Sequence, residues 1–598
     1  MGWSRAALGV LLMTFVGLPE FGVRASCGAL VSINVLGAAA ALLWPAGLTV
    51  KAVAEESLEP AAPATFSSGL SSLAAFSTGF ATFGLEVAWF RSLRAAFQNT
   101  TDSFAIVLVS VLVPLAVGAR LVPWAGRRGI SLGVVMALAG IGVVCVTPIV
   151  ERFDLLVVQL HLALGISGYW NALASWFGMS LIVLGVPMVL LGMPLPWLLE
   201  QQPNNSGRIY AANTFGAVVG SLVAAWILLP NLGFAKTAWG IGIAVVGVSI
   251  AFAGARARVA AGLGLSAALI LAIGFESGVG RDRVQGWGHQ QARILDYAEG
   301  PDSTVAVIEG AGARILVIDG FSASGNYAAG SAHYMEWMGR LPMLLHPDPK
   351  DALVICLGTG QTVKGVRREG AARIDVVDVS DAVVRMAPLF VVNEGVMDDP
   401  RVRTIVMDGR AWMRRTERRY DVVTLEPMPP GFAGVNALYS REFYQRVAEQ
   451  MAPGGIAAQW VPLHTLPPDY SVSVVATFRE IFPDAVLWVD PIAATGIVLG
   501  RKQTSGAPLG TNWPGFDRVG PGRDLEPAEI RRALLLMPSQ LERYARGGRV
   551  ITDDNQLISY GRMRTEQTVS PQQMVNANMR KILSAARGGG GQSGPRDR

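Results

Sequence analysis

Leu353-Val-Ile-Cys-Leu-Gly-Thr-Gly360, Ile374-Asp-Val-Val-Asp-Val-Ser380, Val406-Met-Asp-Gly-Arg410 and Tyr420-Asp-Val-Val-Thr-Leu-Glu-Pro-Met-Pro-Pro430 follow one another in the C-terminal half of this 598-residue chain. Each is an apolar run that ends in glycine or an acid. Parallel strands are covered by helices on both faces and so read as nearly continuous apolar runs, and the residues just past their C-terminal ends line the ligand crevice. From His346-Pro-Asp-Pro-Lys350 to about residue 502, strand and helix patterns alternate, which predicts a doubly wound parallel sheet. Ahead of it, Thr304-Val-Ala-Val-Ile-Glu309 and Arg314-Ile-Leu-Val-Ile-Asp319 alternate and are rich in Val and Ile, the pattern of a small antiparallel sheet.

The preceding half is of another kind. Overall 51% of residues are hydrophobic and 16% charged, with a mean hydropathy of +0.38, too apolar for a soluble chain of this length. Apolar runs long enough to span a bilayer lie at 27–50, 67–90, 103–122, 129–150, 172–198, 209–230 and 232–254, with weaker candidates at 6–19, 155–170 and 259–276. Segment 6–19 lacks a small-residue cleavage site and is read as part of a repeat rather than a signal peptide. Leu18-Pro-Glu-Phe-Gly-Val-Arg-Ala-Ser26 aligns with Leu229-Pro-Asn-Leu-Gly-Phe-Ala-Lys-Thr237 at an offset of 211 residues, a partial internal repeat whose first copy is cut short. Residues 51–64 form a polar, Pro-containing connector, and Gly216 and Gly220 have the spacing that lets helices approach closely. Glu86 is the one acid well inside a strong apolar run and is expected to pair with Arg91 or Arg94 near the interface.

Arg120, Arg127 and Arg128 cluster in one short loop, which the positive-inside rule places in the cytoplasm. Counting both or neither of 155–170 and 259–276 as spans puts the C-terminal domain there too; counting one puts it outside. The net charge of +5 fits membrane orientation and solvation rather than nucleic-acid binding. Three distant cysteines and five scattered histidines form neither a disulfide framework nor a metal-ligand pattern.

Asp378 lies 20 residues beyond the Gly358-Thr359-Gly360 loop, at the end of the next apolar run. At that spacing an acid accepts hydrogen bonds from ribose hydroxyls, while the glycines let the backbone approach a ligand at a helix N-terminus. Asp408-Gly409 ends a third run, where a short acid meets an adenine amine; a helix cap is the alternative role for each acid. Three acids at consecutive strand ends favour a nucleoside site.

Tyr334-Met335-Glu336 with Leu341-Pro342, then His346-Pro347-Asp348-Pro349-Lys350, the Gly358–Gly360 loop, Asp378, Asp408-Gly409 and Tyr420-Asp421 with Glu426 occur in one order. Phe443-Tyr444, Pro453-Gly454-Gly455 and Gln459-Trp460 follow. This order resembles the spermidine synthase (polyamine aminopropyltransferase) family over residues 296–502. With Phe76, Gly79, Glu86, Trp89, Tyr210, Asn213-Thr214, Gly216 and Thr552-Asp553-Asp554, the chain resembles the membrane-fused bacterial subgroup. The resemblance implies a methyltransferase-type Rossmann-like domain that transfers an aminopropyl group from decarboxylated S-adenosylmethionine to a diamine such as putrescine. It implies Glu426 as the base and Tyr334 lining the amine pocket, with Gly358, Thr359, Gly360, Asp378, Asp408 and Gly409 holding the nucleoside. No metal takes part, and soluble members form homodimers through the lead-in sheet. Three positions depart from the family pattern: Thr359 and Pro429 stand where acids are usual, and Met335 stands in place of glutamine. The base is also Glu rather than Asp. These changes motivate two alternatives, a methyltransferase using intact S-adenosylmethionine and a non-catalytic membrane sensor of nucleosides or polyamines.

The chain is accordingly read as a polytopic α-helical membrane domain (1–278), a lead-in β-sheet segment (279–345), the Rossmann-like domain (346–505), a C-terminal extension (506–587) and a disordered Gly-rich tail (588–598). The expected location is the inner membrane, multi-pass, with the C-terminal domain cytoplasmic. The lipid bilayer and a diamine or polyamine are the expected partners, and nucleic acid is not.

Overall fold

The computed structural model describes residues 2–43, 66–97, 100–252, 292–310, 312–326, 333–502, 508–516, 527–560 and 570–588, with isolated positions at 262, 266 and 269. The connector 51–64, all but those three positions of candidate span 259–276, the boundary at 278 and the tail beyond Gly588 lie outside the described residues. The chain divides into two compact units, the second made of Gln98–Thr101, Ser167–Tyr169 and His289–Arg598.

In the first unit, helices α1 (Gly2–Leu12) and α2 (Leu18–Leu43) are followed by α3 (Ser68–Ala96), α4 (Thr101–Arg127), α5 (Leu132–Glu151), α6 (Phe153–Leu164), α7 (Tyr169–Leu191), α8 (Pro194–Gln201), α9 (Ser206–Val223) and α10 (Leu229–Ser249). Six helical stretches among the described residues are long and apolar enough to cross a membrane: Arg5–Ala40, Ser68–Arg94, Thr101–Arg127, Leu132–Glu151, Tyr169–Gln201 and Pro203–Phe252. This regroups the apolar runs. Segment 6–19 shares one stretch with 27–50, and 209–230 shares another with 232–254. The candidate at 155–170 is only the 12-residue α6, closed by left-handed Gly165. At 1.5 Å per residue it reaches about 18 Å, short of a hydrocarbon core of about 30 Å.

The two aligned corners share one backbone. A π-turn over Met13–Gly17 precedes Pro19 and non-helical Gly22 (φ 77°, ψ 179°). A π-turn over Ala224–Leu228 precedes Pro230 and Gly233 (φ 75°, ψ 177°), each feature 211 residues on. Proline lacks the N–H that the carbonyl four residues earlier needs, and the extra residue of a π-turn takes up the mismatch.

Helices α3 and α9 meet through glycines. A Cβ on Gly79 would lie 2.1 Å from the Asn213 carbonyl oxygen, and one on Gly216 2.2 Å from that of Phe76. Glu86 is half-buried and, among the described residues, makes no ion pair with Arg91 or Arg94, contrary to expectation. On a helix, Arg91 points about 140° away from it.

The second unit opens with an antiparallel sheet of β1 (Arg293–Glu299), β2 (Thr304–Gly310), β3 (Ala313–Ile318) and β4 (Phe321–Gly325), then α11 (His333–Leu345). The main sheet follows: β5 (Asp351–Ile355), α12 (Gln361–Arg368), β6 (Arg373–Asp378), α13 (Asp381–Met386), β7 (Val402–Val406), α14 (Gly409–Arg415), β8 (Tyr420–Leu425), α15 (Arg441–Gln450), β9 (Met451–Val461), α16 (Pro468–Ile481), β10 (Val486–Val489) and β11 (Gly496–Arg501). Its order is β12-β10-β11-β9-β8-β5-β6-β7. Strands β5–β9 are mutually parallel, as the apolar runs require, while β10, β11 and β12 add antiparallel pairs at one edge. Strand β12 (Leu534–Leu536) comes from the C-terminal extension, so the sheet continues past residue 505. Helices α17 (Pro527–Arg532), α18 (Pro538–Ala545), α19 (Leu557–Tyr560) and α20 (Pro571–Arg587) complete the unit.

The chain runs outward from β5 to β6 and β7, then returns to the other side of β5 with β8. That reversal makes the ends of β5 and β8 a topological switch point, where open α/β sheets bind ligands.

Candidate active site

The loop leaving β5 turns through three residues with positive φ: Cys356 (73°), Gly358 (53°) and Gly360 (85°). Gly360 caps α12 in the left-handed region that glycine adopts without strain. Asp378, at the end of β6, secures this loop. Its Oδ2 accepts from the Leu357 N–H at 2.8 Å and its Oδ1 from the Ser380 N–H at 2.8 Å. Burial is the main reason its carboxyl is pushed up to about 6, against those backbone hydrogen bonds. The Asp378 carbonyl accepts from the Met407 N–H at 2.8 Å, tying β6 to the turn that carries Asp408.

Asp408 is exposed and caps α14, its Oδ1 accepting from the Ala411 N–H at 2.9 Å. The capping role is therefore real. Gly409 is required beside it, because a Cβ there would lie 2.7 Å from the Ile355 side chain.

Glu426 stands just past β8. Its Oε2 accepts from the Thr362 hydroxyl at 2.8 Å, and the Tyr334 hydroxyl also bonds to it. Burial, only partly offset by those two hydrogen bonds, pushes its carboxyl up to about 7. The Thr362 oxygen also lies 2.9 Å from the Met335 carbonyl oxygen. One hydroxyl proton thus has two acceptors. When Glu426 is ionised it accepts the hydrogen bond of that hydroxyl, and when protonated it donates to the Thr362 oxygen, whose own hydrogen turns to the Met335 carbonyl. The site accommodates both states, as a proton-accepting group needs.

Tyr334 lies parallel to Trp460, ring centroids 5.9 Å apart at 7°. The buried Trp460 indole N–H has no hydrogen-bond partner among the described residues. Tyr439 is fully buried near Glu426, and burial first, then its neighbours Tyr444, Cys356 and Glu426, hold its hydroxyl far above the usual range. Burial and the nearby Asp378, Glu426 and Asp408 do the same to the Cys356 thiol.

The altered positions form a neutral cluster. Buried Thr359 accepts from the Gln361 amide at 3.0 Å, and the same amide nitrogen lies 3.5 Å from the Met335 sulfur. Pro429 is buried, its carbonyl accepting from the Phe432 N–H at 3.0 Å. Sequence reasoning passed over Thr362, Gln361 and Tyr439. Thr362 and Gln361 open α12 directly after the glycine loop, a position that could have marked them; nothing local marks Tyr439.

Glu336, in the Tyr334-Met-Glu segment, serves the scaffold instead. Its buried carboxylate meets Lys364 at 2.7 Å and Arg368 at 2.5 Å, joining α11 to α12, while neighbouring Arg340 pairs with Glu369 at 2.7 Å. Burial pushes this carboxyl upward, but Lys364, Arg368 and Arg340 outweigh it and hold the group below the usual range. Removing one member of a buried pair strands the other, so Glu336→Gln is expected to cost about 3–5 kcal/mol. A fall of several degrees in the thermal midpoint of the second unit checks this; an unchanged midpoint would refute it.

The parallel sheet and its switch point define a Rossmann-like domain in the C-terminal part of the chain. Residues 331–497 match the family profile described as "Spermine/spermidine synthase domain". The polyamine aminopropyltransferase 2 of Pseudomonas aeruginosa is 34% identical over 149 residues, which are 24% of this chain and 42% of the relative. The putrescine N-methyltransferase 2 of Nicotiana attenuata is 27% identical over 199 residues, 31% of this chain and 51% of the relative. The chain thus spans about half the length of these curated relatives. A solved spermidine synthase in complex with the transition-state analogue AdoDATO is 18% identical, with a TM-score of 0.36 over 42% of this chain and 88% of that one.

Proposed function

We propose that this protein is a membrane-anchored polyamine aminopropyltransferase, moving the aminopropyl group of decarboxylated S-adenosylmethionine to a diamine such as putrescine. The observation that carries the reading is Glu426, a buried carboxyl at the switch point that titrates near neutrality beside Tyr334 and Thr362. A sulfonium activates the methylene next to it, and only a neutral amine attacks there, so a nearby carboxylate must take the amine's proton. The Gly358–Gly360 loop and Asp378 would hold the ribose end and Asp408 the adenine amine. Tyr334 would line the amine pocket, in keeping with its bond to Glu426.

The six apolar stretches support a multi-pass inner-membrane base, and a C-terminal domain on the cytoplasmic side is part of this reading. A homodimer through the β1–β4 sheet is part of this reading.

The test is product analysis by mass spectrometry on detergent-purified protein given both forms of S-adenosylmethionine and a panel of diamines. Amine-dependent methylthioadenosine supports aminopropyl transfer. S-adenosylhomocysteine supports a second reading, methyl transfer from the intact donor. The Thr359–Gln361–Met335 cluster favours that one, because a neutral wall does not repel the donor's carboxylate. Neither product, with nucleosides still bound, would leave a sensor.

The pH dependence follows from Glu426. Its carboxyl is raised, so the ionised base is present only above about pH 7. The acidic limb of kcat/KM is expected near 7; a limb near 4 would remove Glu426 from the role.

A further inference from the structure

The segment after α18, beyond the matched domain, folds back onto the nucleoside side of the sheet. Arg410, in the first turn of α14 and two residues from Asp408, presents both terminal nitrogens to Asp553, at 2.7 Å to Oδ1 and 2.5 Å to Oδ2. Asp553 Oδ1 also accepts from the Ser440 hydroxyl at 2.8 Å, and the Asp553 N–H donates to Glu442 at 3.0 Å. The Arg410 guanidinium further donates to the Ala437 carbonyl at 2.8 Å. On either side, the Ile551 carbonyl accepts from the Arg441 N–H at 2.9 Å, and the Ile558 N–H donates to the buried Asn436 side chain at 3.1 Å. The turn itself is pre-formed: Asn555 accepts from the Thr552 N–H at 3.0 Å and donates to the Val550 carbonyl at 2.8 Å.

A cation in the first turn of a helix opposes the helix dipole, so Arg410 has no local reason to sit there. A two-pronged guanidinium–carboxylate pair fixes orientation as well as position. Here it joins the first turn of α14, just past β7, to the Thr552–Leu557 turn, and Ala437 and Ser440 tie both to the segment that runs from β8 to α15.

We propose that the Thr552–Leu557 turn is a working part of the nucleoside site, with Asp553 acting through Arg410 and Ser440 to hold Asp408 where it meets the adenine amine. Asp553 is a positioning residue, and the assignment rests on the nucleoside reading of Asp408 given above. Burial pushes the Asp553 carboxyl upward, but Arg410 and Ser440 outweigh it and keep the group below its usual range, in line with a standing charge pair.

The test uses the full chain in detergent and two probes, methylthioadenosine and its inosine counterpart, which carries a carbonyl in place of the amine. Asp553→Asn is expected to weaken methylthioadenosine binding about tenfold and the inosine compound less than twofold. Ser440→Ala, which removes the Asp553 bond together with the cap that the hydroxyl makes to the Phe443 N–H of α15, is expected to move the same ratio in the same direction by less. Equal loss for both nucleosides, or no loss, overturns the proposal. Hydrogen exchange of the ligand-free protein separates this failure from that of the nucleoside reading. Asp553→Asn must speed exchange over 407–412 even if the parent binds neither probe, and unchanged exchange there overturns the latch itself.

Discussion

Glu426→Gln is expected to lower turnover by about a hundred- to ten-thousandfold while leaving nucleoside affinity within about twofold, because proton acceptance in the transition state carries that much of a general-base reaction. The amide keeps the shape and the acceptor for the Thr362 hydroxyl but takes no proton. The nucleoside contacts belong to other strands, so they have no reason to change. The same substitution is expected to stabilise the unliganded protein. With a folded value of about 7 against an ordinary 4.5, the folded state holds an extra proton between those limits, so stability falls as pH rises from 4.5 to 7. Above 7 the whole penalty, about 3 kcal/mol, is present, and the amide removes it. Thermal unfolding at pH 8 with steady-state kinetics reads both effects. A fully active Glu426→Gln would remove Glu426 as the base, and a lower midpoint would contradict its buried, strained ionisation.

Asp378→Ala is expected to weaken binding of any adenine nucleoside by about a hundredfold or more. Two backbone donors, Leu357 N–H and Ser380 N–H, lose a shared carboxylate. Hydrogen bonds to a charged group are each worth about 1.5–3 kcal/mol. Their loss frees the glycine loop, and the ribose loses its acceptor at the same time. Calorimetric titration with methylthioadenosine is the direct check, and affinity within threefold of the parent would exclude Asp378 from the site. Because Asp378 titrates near 6, parent affinity is also expected to decline below that pH, as protonation weakens its acceptors.

Much of this site is legible in the chain itself. Leu353–Ile355, Val376–Val377 and Val422–Val423 had to be apolar to lie between layers of helices, and the Gly358, Asp378 or Glu426 that follows announces the polar edge of that interior. The Pro19/Gly22 and Pro230/Gly233 corners are equally local, since a missing N–H and a glycine act on their own turn.

Other features depend on neighbours far away in sequence. Thr362 serves Glu426 from 64 residues away, Asp553 reaches Arg410 across 143, and no periodicity signals either meeting. The number of spanning stretches depended on which apolar runs merge into one helical path, and the pairing assumed for Glu86 on helix rotation that nearness in sequence conceals. The sequence by itself determined the strands, the turns and which acids stand at their ends, because solvent exclusion and backbone sterics act residue by residue. Only the tertiary structure decided that Glu426 is pushed up to about 7, that Asp408 caps a helix, and that the C-terminal turn closes on Arg410. Burial and ion pairing are properties of surroundings assembled from the whole domain.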